Sequence, residues 1–392
     1  MPVGPLGTVS PSLRLETPPP GVRPPMRWLF AFIVVIHGLI HLMGPAKAFG
    51  WAELPDLTQP VSRWMGVVWA LAGVLTVAAA VAFFAWPRGW WILGAAAVVL
   101  SQAVILSAWT DAKFGTLANV ILLLGVAFGY FTQGPTSFRA EYERGVHEGL
   151  ARAAETRILA EADLAPLPDP VRRYLRATGW VGQPRVANYR IRFRGRIRSG
   201  PDARWMPFEA DQQSFADRPT RLFWICATMM GVFIDGLHRL ADGHATMRIK
   251  PLGVFTVVDV AGPEMDQAES VTLFNDMCIM APATLIDPAV TWEPVDARTA
   301  KARFTHAGHT IAATLFFDDE GLLRNFVSDD RFALTDGKTL HAWRFSTPIQ
   351  EYRGYGVFRL ASRGEARWHP PTGEYVYGEF EMLDIAYNVR QP

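Results

Sequence analysis

The sequence predicts two architectures in series: a four-span α-helical membrane bundle, then an α+β domain built on one large curled antiparallel sheet with a helical insertion. Two observations carry this. First, charge is divided unevenly along the 392 residues: of 75 Asp, Glu, Lys and Arg side chains, 11 precede Gly134 and 64 follow it. That is about 8% charged before and about 25% after, the second being the ordinary value for soluble protein. Second, the hydrophobic period changes from long apolar runs to a two-residue alternation at residue 188. A single water-soluble globule is thereby excluded, as is a wholly membrane-embedded chain. With a net charge of +1, the chain also lacks the clustered basic face that nucleic-acid binding needs.

Residues 1–26 hold eight prolines and few apolar partners, a composition that cannot bury enough surface to order itself. They read as a flexible tail on the cytosolic side. From Trp28 an apolar run extends to about Phe49, near the 20 residues needed to cross a bilayer. Further runs at 64–86, 90–109 and 116–131 make four spans in residues 27–134, and Trp28, Trp64, Trp86, Trp90, Trp91 and Trp109 stand at their ends, where an amphipathic ring suits the membrane interface. Arg23, Arg27 and Ala46-Lys47-Ala48 loosely imitate a secretory signal with a cleavage site, but two histidines in the run and three later spans argue for a retained helix. Arginines before the first span, at Arg88 and after the fourth span place both termini in the cytoplasm of an inner-membrane protein, with a periplasmic C-terminal domain as the alternative. Cys226 and Cys278 supply no disulfide framework.

Residues 135–165 read as an amphipathic stalk helix, over 138–162, and a linker; Tyr142, Val146, Leu150, Ile158 and Leu159 form its apolar stripe. A short helix at 170–177 opens the β-rich domain, 166–392. In 188–199, Tyr189, Ile191, Phe193 and Ile197 alternate with Arg190, Arg192, Arg194, Arg196 and Arg198, the repeat of a half-buried strand. Strands are expected also at 205–215, 221–227, 236–241, 245–249, 254–260, 300–305, 310–317, 322–332, 340–352, 355–361, 365–369 and 374–387. Turn residues such as Ala307-Gly308, Asp336-Gly337 and Pro371-Thr372-Gly373 separate several of them. Residues 263–286 lack alternation and predict one or two helices; placing these on the concave face of the sheet buries both apolar surfaces.

The segments IHGLIHLMGPAKAFG, SAWTDAKFGTLANVILLL, LPDPVRRYL, LFNDMCIMAPATLIDPAVTWEP and GEFEMLDIAYNV resemble an uncharacterised bacterial membrane-protein family. In that family a DoxX-like four-helix unit precedes a domain of unknown function. The resemblance implies no known activity. In element order the second domain is similar in outline to the lipoprotein-carrier half-barrels of bacterial envelopes, an analogy of fold and a weak warrant for function.

His37 and His41, one turn apart in the first span, share a helix face and can take neighbouring positions on a zinc or copper ion. With Asp111 and Lys113 they outline a small polar site for a metal, a proton or a quinone-like head group; intramembrane ionisable residues are functional candidates by default. The plainer expectation is that the histidines bond across helices to Ser101, Gln102 or a carbonyl. In the second domain Trp224, Met229, Met230, Phe274, Met277, Cys278 and Trp343 offer adaptable apolar surface for a lipid-like ligand; for any single one of them an ordinary core is the better reading. Asp276, Asp330 and Arg331 are the polar candidates, with a salt-bridge network the plainer expectation for the last two. No Gly-x-Ser-x-Gly elbow, His-Glu-x-x-His, phosphate loop or dinucleotide fingerprint occurs. The arginine ladder reads as a solvated sheet face, or more sharply as a contact for anionic lipid head groups. The expectation is therefore a noncatalytic binder of an apolar or amphiphilic molecule. An accessory redox, metal or quinone-linked protein using His37 and His41, or a structural and partner-binding domain, are the alternatives. No resident cofactor is expected, with a metal or quinone at His37 and His41 as the alternative; ligand identity, oligomeric state and pathway are not legible.

Overall fold

The structure, a computed structural model, describes residues 24–152 and 156–391. The chain divides into two compact units, Met1–Gly134 and Pro135–Pro392. The expected tail lies outside the described residues up to position 23.

In the first unit, α1 (Pro24–Ile40) is followed by a short α2 (Met43–Ala48), then α3 (Arg63–Ala85), α4 (Trp90–Ser107), a turn of helix α5 (Trp109–Ala112) and α6 (Gly115–Gln133). Helix α1 starts three residues inside the expected tail, because proline is tolerated in a first turn whose N–H groups lack partners anyway. The first expected span is broken between α1 and α2. Pro45 has no N–H for the carbonyl of His41 and its ring clashes with it; the N–H of Gly44 bonds that carbonyl instead, at 3.2 Å. Among the described residues four stretches are long and apolar enough to cross a membrane, with residues 25–48 forming the first. Helices α1 and α3 approach closely at Gly38 and Gly73: a Cβ on Gly73 would meet the Gly38 carbonyl oxygen at 2.8 Å. Small residues permit such an approach where apolar lipid leaves close packing as the main attraction between helices.

The second unit begins with α7 (Phe138–Leu150), which stops twelve residues short of the expected end. A 3₁₀ turn, Glu161–Leu164, and α8 (Asp169–Ala177) come next. The strands are β1 (Asn188–Ile197), β2 (Met206–Phe215), β3 (Thr220–Met229), β4 (Val232–Ala241), β5 (His244–Pro251) and β6 (Val258–Ala261). After α9 (Pro263–Met280) come β7 (Val290–Pro294), β8 (Thr299–His306), β9 (His309–Phe317), β10 (Leu323–Ser328), β11 (Phe332–Leu334) and β12 (Leu340–Ala342). The chain closes with β13 (Arg344–Ser346), β14 (Ile349–Tyr355), β15 (Phe358–His369) and β16 (Tyr375–Tyr387). Fourteen of these form one sheet among the described residues, in the order β6-β5-β4-β3-β2-β1-β16-β15-β13-β10-β9-β8-β7 with β14 also on β15, while β11 and β12 pair separately. All pairings are antiparallel, and the sheet stays open between β6 and β7. The N- and C-terminal strands of the unit meet at its centre, where β1 pairs with β16.

The structure differs from the sequence expectation at several strands. The run expected at 322–332 ends at Ser328, and Phe332 opens β11. Strand β7 is absent from the expected set; Val290, Trp292 and Pro294 alternate with Thr291 and Glu293, but over only five residues. The run at 340–352 is three strands: β12 pairs with β11 outside the main sheet, and Pro348, which cannot donate to a ladder, separates β13 from β14. The runs at 355–361 and 365–369 are one strand, β15.

Helix α9 explains the curvature. It packs against β4, β5 and β6 near one edge and against β9 and β10 near the other, so the sheet has to wrap round it. Gly262 precedes it with φ 113°, Pro263 opens its first turn and Glu264 and Asp266 sit where the helix dipole favours negative charge. Nearly every residue from Met265 to Ile279 is buried, which is why no amphipathic stripe is legible there. Helix α7 lies on the sheet: a Cβ on Gly145 would meet Leu222 at 2.8 Å, and one on Gly149 would overlap the ring of Phe215. Along β1 the outward arginines are matched by acids of β16. Arg194 donates two 3.0 Å bonds to Glu381, Arg196 two 2.7 Å bonds to Glu379, and Arg192 stands 3.7 Å from Asp384.

Candidate functional site

Between α9 and the concave face of the sheet lies a cavity of about 340 Å³. Alternation along the strands lines it: Phe193 of β1, Phe223 and Ile225 of β3, Met247 and Ile249 of β5 and Met382 of β16 point inward. Helix α9 contributes Met265, Ala268, Glu269, Thr272, Asp276 and Ile279, the three- and four-residue spacing of one helix face.

One wall is a buried charge cluster. Arg221, 7% exposed, donates through Nε to Asp276 Oδ2 at 2.7 Å and through Nη1 to Glu269 Oε2 at 3.2 Å; the carboxylates are 4% and 2% exposed. Gln212 adds a 2.7 Å bond to Asp276, and His238 Nδ1 lies 3.4 Å from Glu269. Burial alone would raise the Glu269 carboxyl, but Arg221 and then His238 outweigh it and hold Glu269 down at about 2. The cluster binds α9 to β2, β3 and β4, with its charged atoms paired as buried charges must be.

The lining holds a second, differently partnered cation. Arg331 packs its guanidinium 4.1 Å from the Phe345 ring centre and 5.0 Å from that of Trp368, and donates from Nη1 to the Tyr377 hydroxyl at 2.7 Å. Its Nε is buried and makes no hydrogen bond.

The expected residues divide sharply. Asp276 and Arg331 line the cavity; Trp224, Met229, Met230, Phe274, Met277, Cys278 and Trp343 do not. Trp224 points to the other face of β3, where its ring lies 6.3 Å from that of Tyr142 on α7 and its Nε1 donates to Asp235 at 2.8 Å. Burial raises the Asp235 carboxyl to about 7 against the opposing effect of that bond. Met229 and Met230 are exposed at the β3–β4 turn. Phe274 and Cys278 are fully buried on the flank of α9 away from the cavity, Phe274 stacked 5.3 Å from Phe304. Met277 is buried in the same core, and Trp343 stacks on His341. Asp330 accepts from the Ala312 backbone at 2.6 Å, a structural contact outside the cavity. Gln212, Arg221, His238 and Glu269 are cavity-lining residues that sequence reasoning missed. The available signals were an arginine heading the apolar run of β3 and a glutamate inside a helix that is otherwise almost wholly buried.

The bundle holds a second cavity, of about 450 Å³, lined by His37, His41 and Asp111 among apolar residues such as Phe32, Ile36 and Trp69; Lys113 is not in its lining. His37 Nε2 donates to Asn119 Oδ1 at 2.9 Å, with Ser101 Oγ at 3.1 Å; Asn119 Nδ2 donates to Gln102, and Gln102 to Thr116. His41 Nδ1 donates to the His37 carbonyl at 2.9 Å, leaving Nε2 as a buried acceptor with no partner. The two rings stand edge to face, 4.8 Å apart. No group of three or more His, Cys, Asp or Glu among the described residues is placed to hold a metal ion. Asp111 accepts from Thr58 Oγ1 and the Gln59 backbone at 2.7 and 2.9 Å, which lower its carboxyl, with the Gln59 bond the larger cause. Lys47 donates to the Leu57 carbonyl, and Lys113 lies over the Phe114 ring.

No curated protein matches the chain. Among solved structures it is similar to a domain of Vibrio parahaemolyticus described as an outer-membrane lipoprotein-sorting protein, at 9% identity and a TM-score of 0.24, covering 53% of this chain and 87% of that one. It is also similar to a DUF1329 family protein from Desulfovibrio piger, at 10% identity and a TM-score of 0.31, covering 53% of this chain and 88% of that one. A family model covers residues 157–380, from the segment before α8 into β16, and leaves the four-helix unit outside the match. Over that span the chain belongs to DUF6544, a family of unknown function.

Proposed function

We propose that the sheet unit binds an apolar or amphiphilic molecule without covalent chemistry, and that the helix bundle tethers it to a membrane. The observation that carries this reading is the cavity of about 340 Å³ beneath α9. Its volume lies within the range of small-molecule sites, and it combines aromatic and aliphatic walls with a few converging polar groups, the composition such sites use. The polar groups are arranged for holding: the buried acids are occupied by Arg221, Gln212 and His238, and no nucleophile stands beside a base in the lining.

Native mass spectrometry of the full chain released from lipid nanodiscs tests this, with saturable enhancement of 1-N-phenylnaphthylamine fluorescence as a second readout. Bound amphiphile and saturable dye binding are expected. Ala268→Trp, which fills the cavity from α9, should abolish both. A folded protein without ligand and without dye binding would refute the reading and favour a partner-binding domain.

A second reading is supported by the unpartnered Nε2 of His41 in the bundle cavity. A bare imidazole nitrogen there can accept from a hydroxyl-bearing or quinol-like head group, or ligate a metal. Stoichiometric ligand or metal that disappears in His37→Ala/His41→Ala is the expected result; retention in that variant would remove the site.

A further inference from the structure

We propose that the ligand of the sheet cavity is a single-chain anionic amphiphile, with a carboxylate or phosphate head group taken by Arg331 and Tyr377. This rests on the cavity being a ligand site.

Four arginines line the cavity, and their partners separate them. Arg221 is matched by Glu269 and Asp276, and Arg363 by Glu351 and Glu381. Arg198 donates to the carbonyls of Val376 and Pro201 and packs 4.6 Å from the Trp205 ring. Among the described residues the guanidinium of Arg331 hydrogen-bonds only the neutral hydroxyl of Tyr377, its buried Nε bonds nothing, and Glu269 feels its charge without forming an ion pair with it. Arg331 is half-buried, and a cation partly withdrawn from water favours a paired charge. Phe345 and Trp368 hold this one in place through its flat faces, which leaves its edge, where the N–H donors lie, for a partner.

Tyr377 completes the donor set. Its oxygen accepts from Arg331, so its own proton remains available, and the ring is fixed by stacking 5.2 Å from Trp368. Guanidinium N–H groups beside a phenolic O–H recognise an oxyanion better than an alcohol or an amine, because charge-assisted bonds are the stronger ones. The cavity's own acids are already ion-paired elsewhere, Glu269 and Asp276 with Arg221 and Glu365 with Arg367; Glu269 feels the charge of Arg331 without touching it. The aliphatic and aromatic remainder of the lining suits the hydrocarbon chain beyond the head group.

The test is competition with 1-N-phenylnaphthylamine on the full chain in nanodiscs, with protein-free nanodiscs as the blank. The competitors are dodecanoate, dodecyl phosphate, dodecanol and dodecylamine. The two anions are expected to displace the dye at concentrations about tenfold or more below dodecanol, and dodecylamine should be the weakest. In Arg331→Met the preference for anions should fall below about twofold while dodecanol is unchanged, and Arg331→Lys should keep part of it. If Arg331→Met does not fold, Tyr377→Phe carries the test, because loss of the phenolic proton should also shrink the preference. Equal competition by all four, a preference for the amine, or an anion preference that survives Arg331→Met would overturn the head-group assignment while leaving a ligand cavity in place. Failure of the dye itself to bind would overturn both readings.

Discussion

Replacing Arg221 by methionine probes the buried cluster that joins α9 to the sheet. The change keeps roughly the volume of the side chain but removes the charge that offsets Glu269 and Asp276, whose carboxylates are 2% and 4% exposed. Glu269 sits at about 2 against an ordinary value of 4.5, and a depression of that size corresponds to about 3 kcal/mol of stability at neutral pH. Breaking a buried pair by removing one partner costs about 3–5 kcal/mol by a separate route, from the uncompensated charge left behind. Because the folded-state value is depressed, this contribution is complete above pH 4.5 in the native protein and is lost as the pH falls towards 2. In Arg221→Met the sign reverses for Glu269: burial without the Arg221 charge raises its carboxyl, so the deficit is greatest at neutral pH and shrinks on acidification as it takes up a proton. Pulse proteolysis of the full chain in nanodiscs measures both effects on the sheet unit. Arg221→Met/Glu269→Gln/Asp276→Asn, which neutralises the whole cluster, should recover most of the loss. A deficit below about 1 kcal/mol at pH 7, or one that does not change between pH 7 and pH 4, would refute the reasoning.

Other outcomes depend on the same packing. Asp235 is raised to about 7 by burial, so its contribution is complete below the ordinary aspartate value of 3.8 and is lost as the pH rises through 7. Asp235→Asn should flatten that part of the stability profile, by on the order of 4 kcal/mol between pH 4 and pH 8, with the 2.8 Å acceptor for Trp224 retained; an unchanged profile by pulse proteolysis would contradict the assignment. Phe274→Ala opens a void beside Phe304 and Phe326 and should cost about 3–5 kcal/mol without altering ligand competition, because Phe274 lies off the cavity. In the bundle, Asn119→Ala removes the acceptor of His37 and the donor to Gln102. It should cost about 1 kcal/mol in thermal unfolding of the full chain in detergent; no change would show the network to be incidental.

Strand identity was readable where one face met water. In β1 the arginines and the apolar residues alternate without exception from Tyr189 to Phe193, and turn glycines separate the later hairpins. Alternation failed where both sides were covered or neither was. Helix α9, buried all round, showed no stripe, and β7 carries its repeat over only five residues, too short a run to stand out. The missed break at His41 was present in the sequence as Pro45, whose effect falls four residues upstream.

The site was less legible for a related reason. Trp224 and Phe223 are adjacent in sequence and chemically alike, yet the pleat sends Phe223 into the cavity and Trp224 under α7. Met277 and Asp276 are likewise neighbours on opposite flanks of α9. Apolar content measures how much surface must be buried but not against what.

Composition and periodicity alone therefore determined the division at Gly134, the four apolar spans and the antiparallel character of the second unit, because charge, run length and the two-residue pleat are local properties of the chain. Only the tertiary structure decided that β1 and β16 join at the centre of the sheet, that Arg221 meets Glu269 and Asp276 from 48 and 55 residues away, and that Arg331 stands at the cavity hydrogen-bonded to the neutral Tyr377 hydroxyl. Those facts depend on strand order and on which flank of α9 each residue occupies, and both are set by the burial of the whole unit, which no single segment encodes.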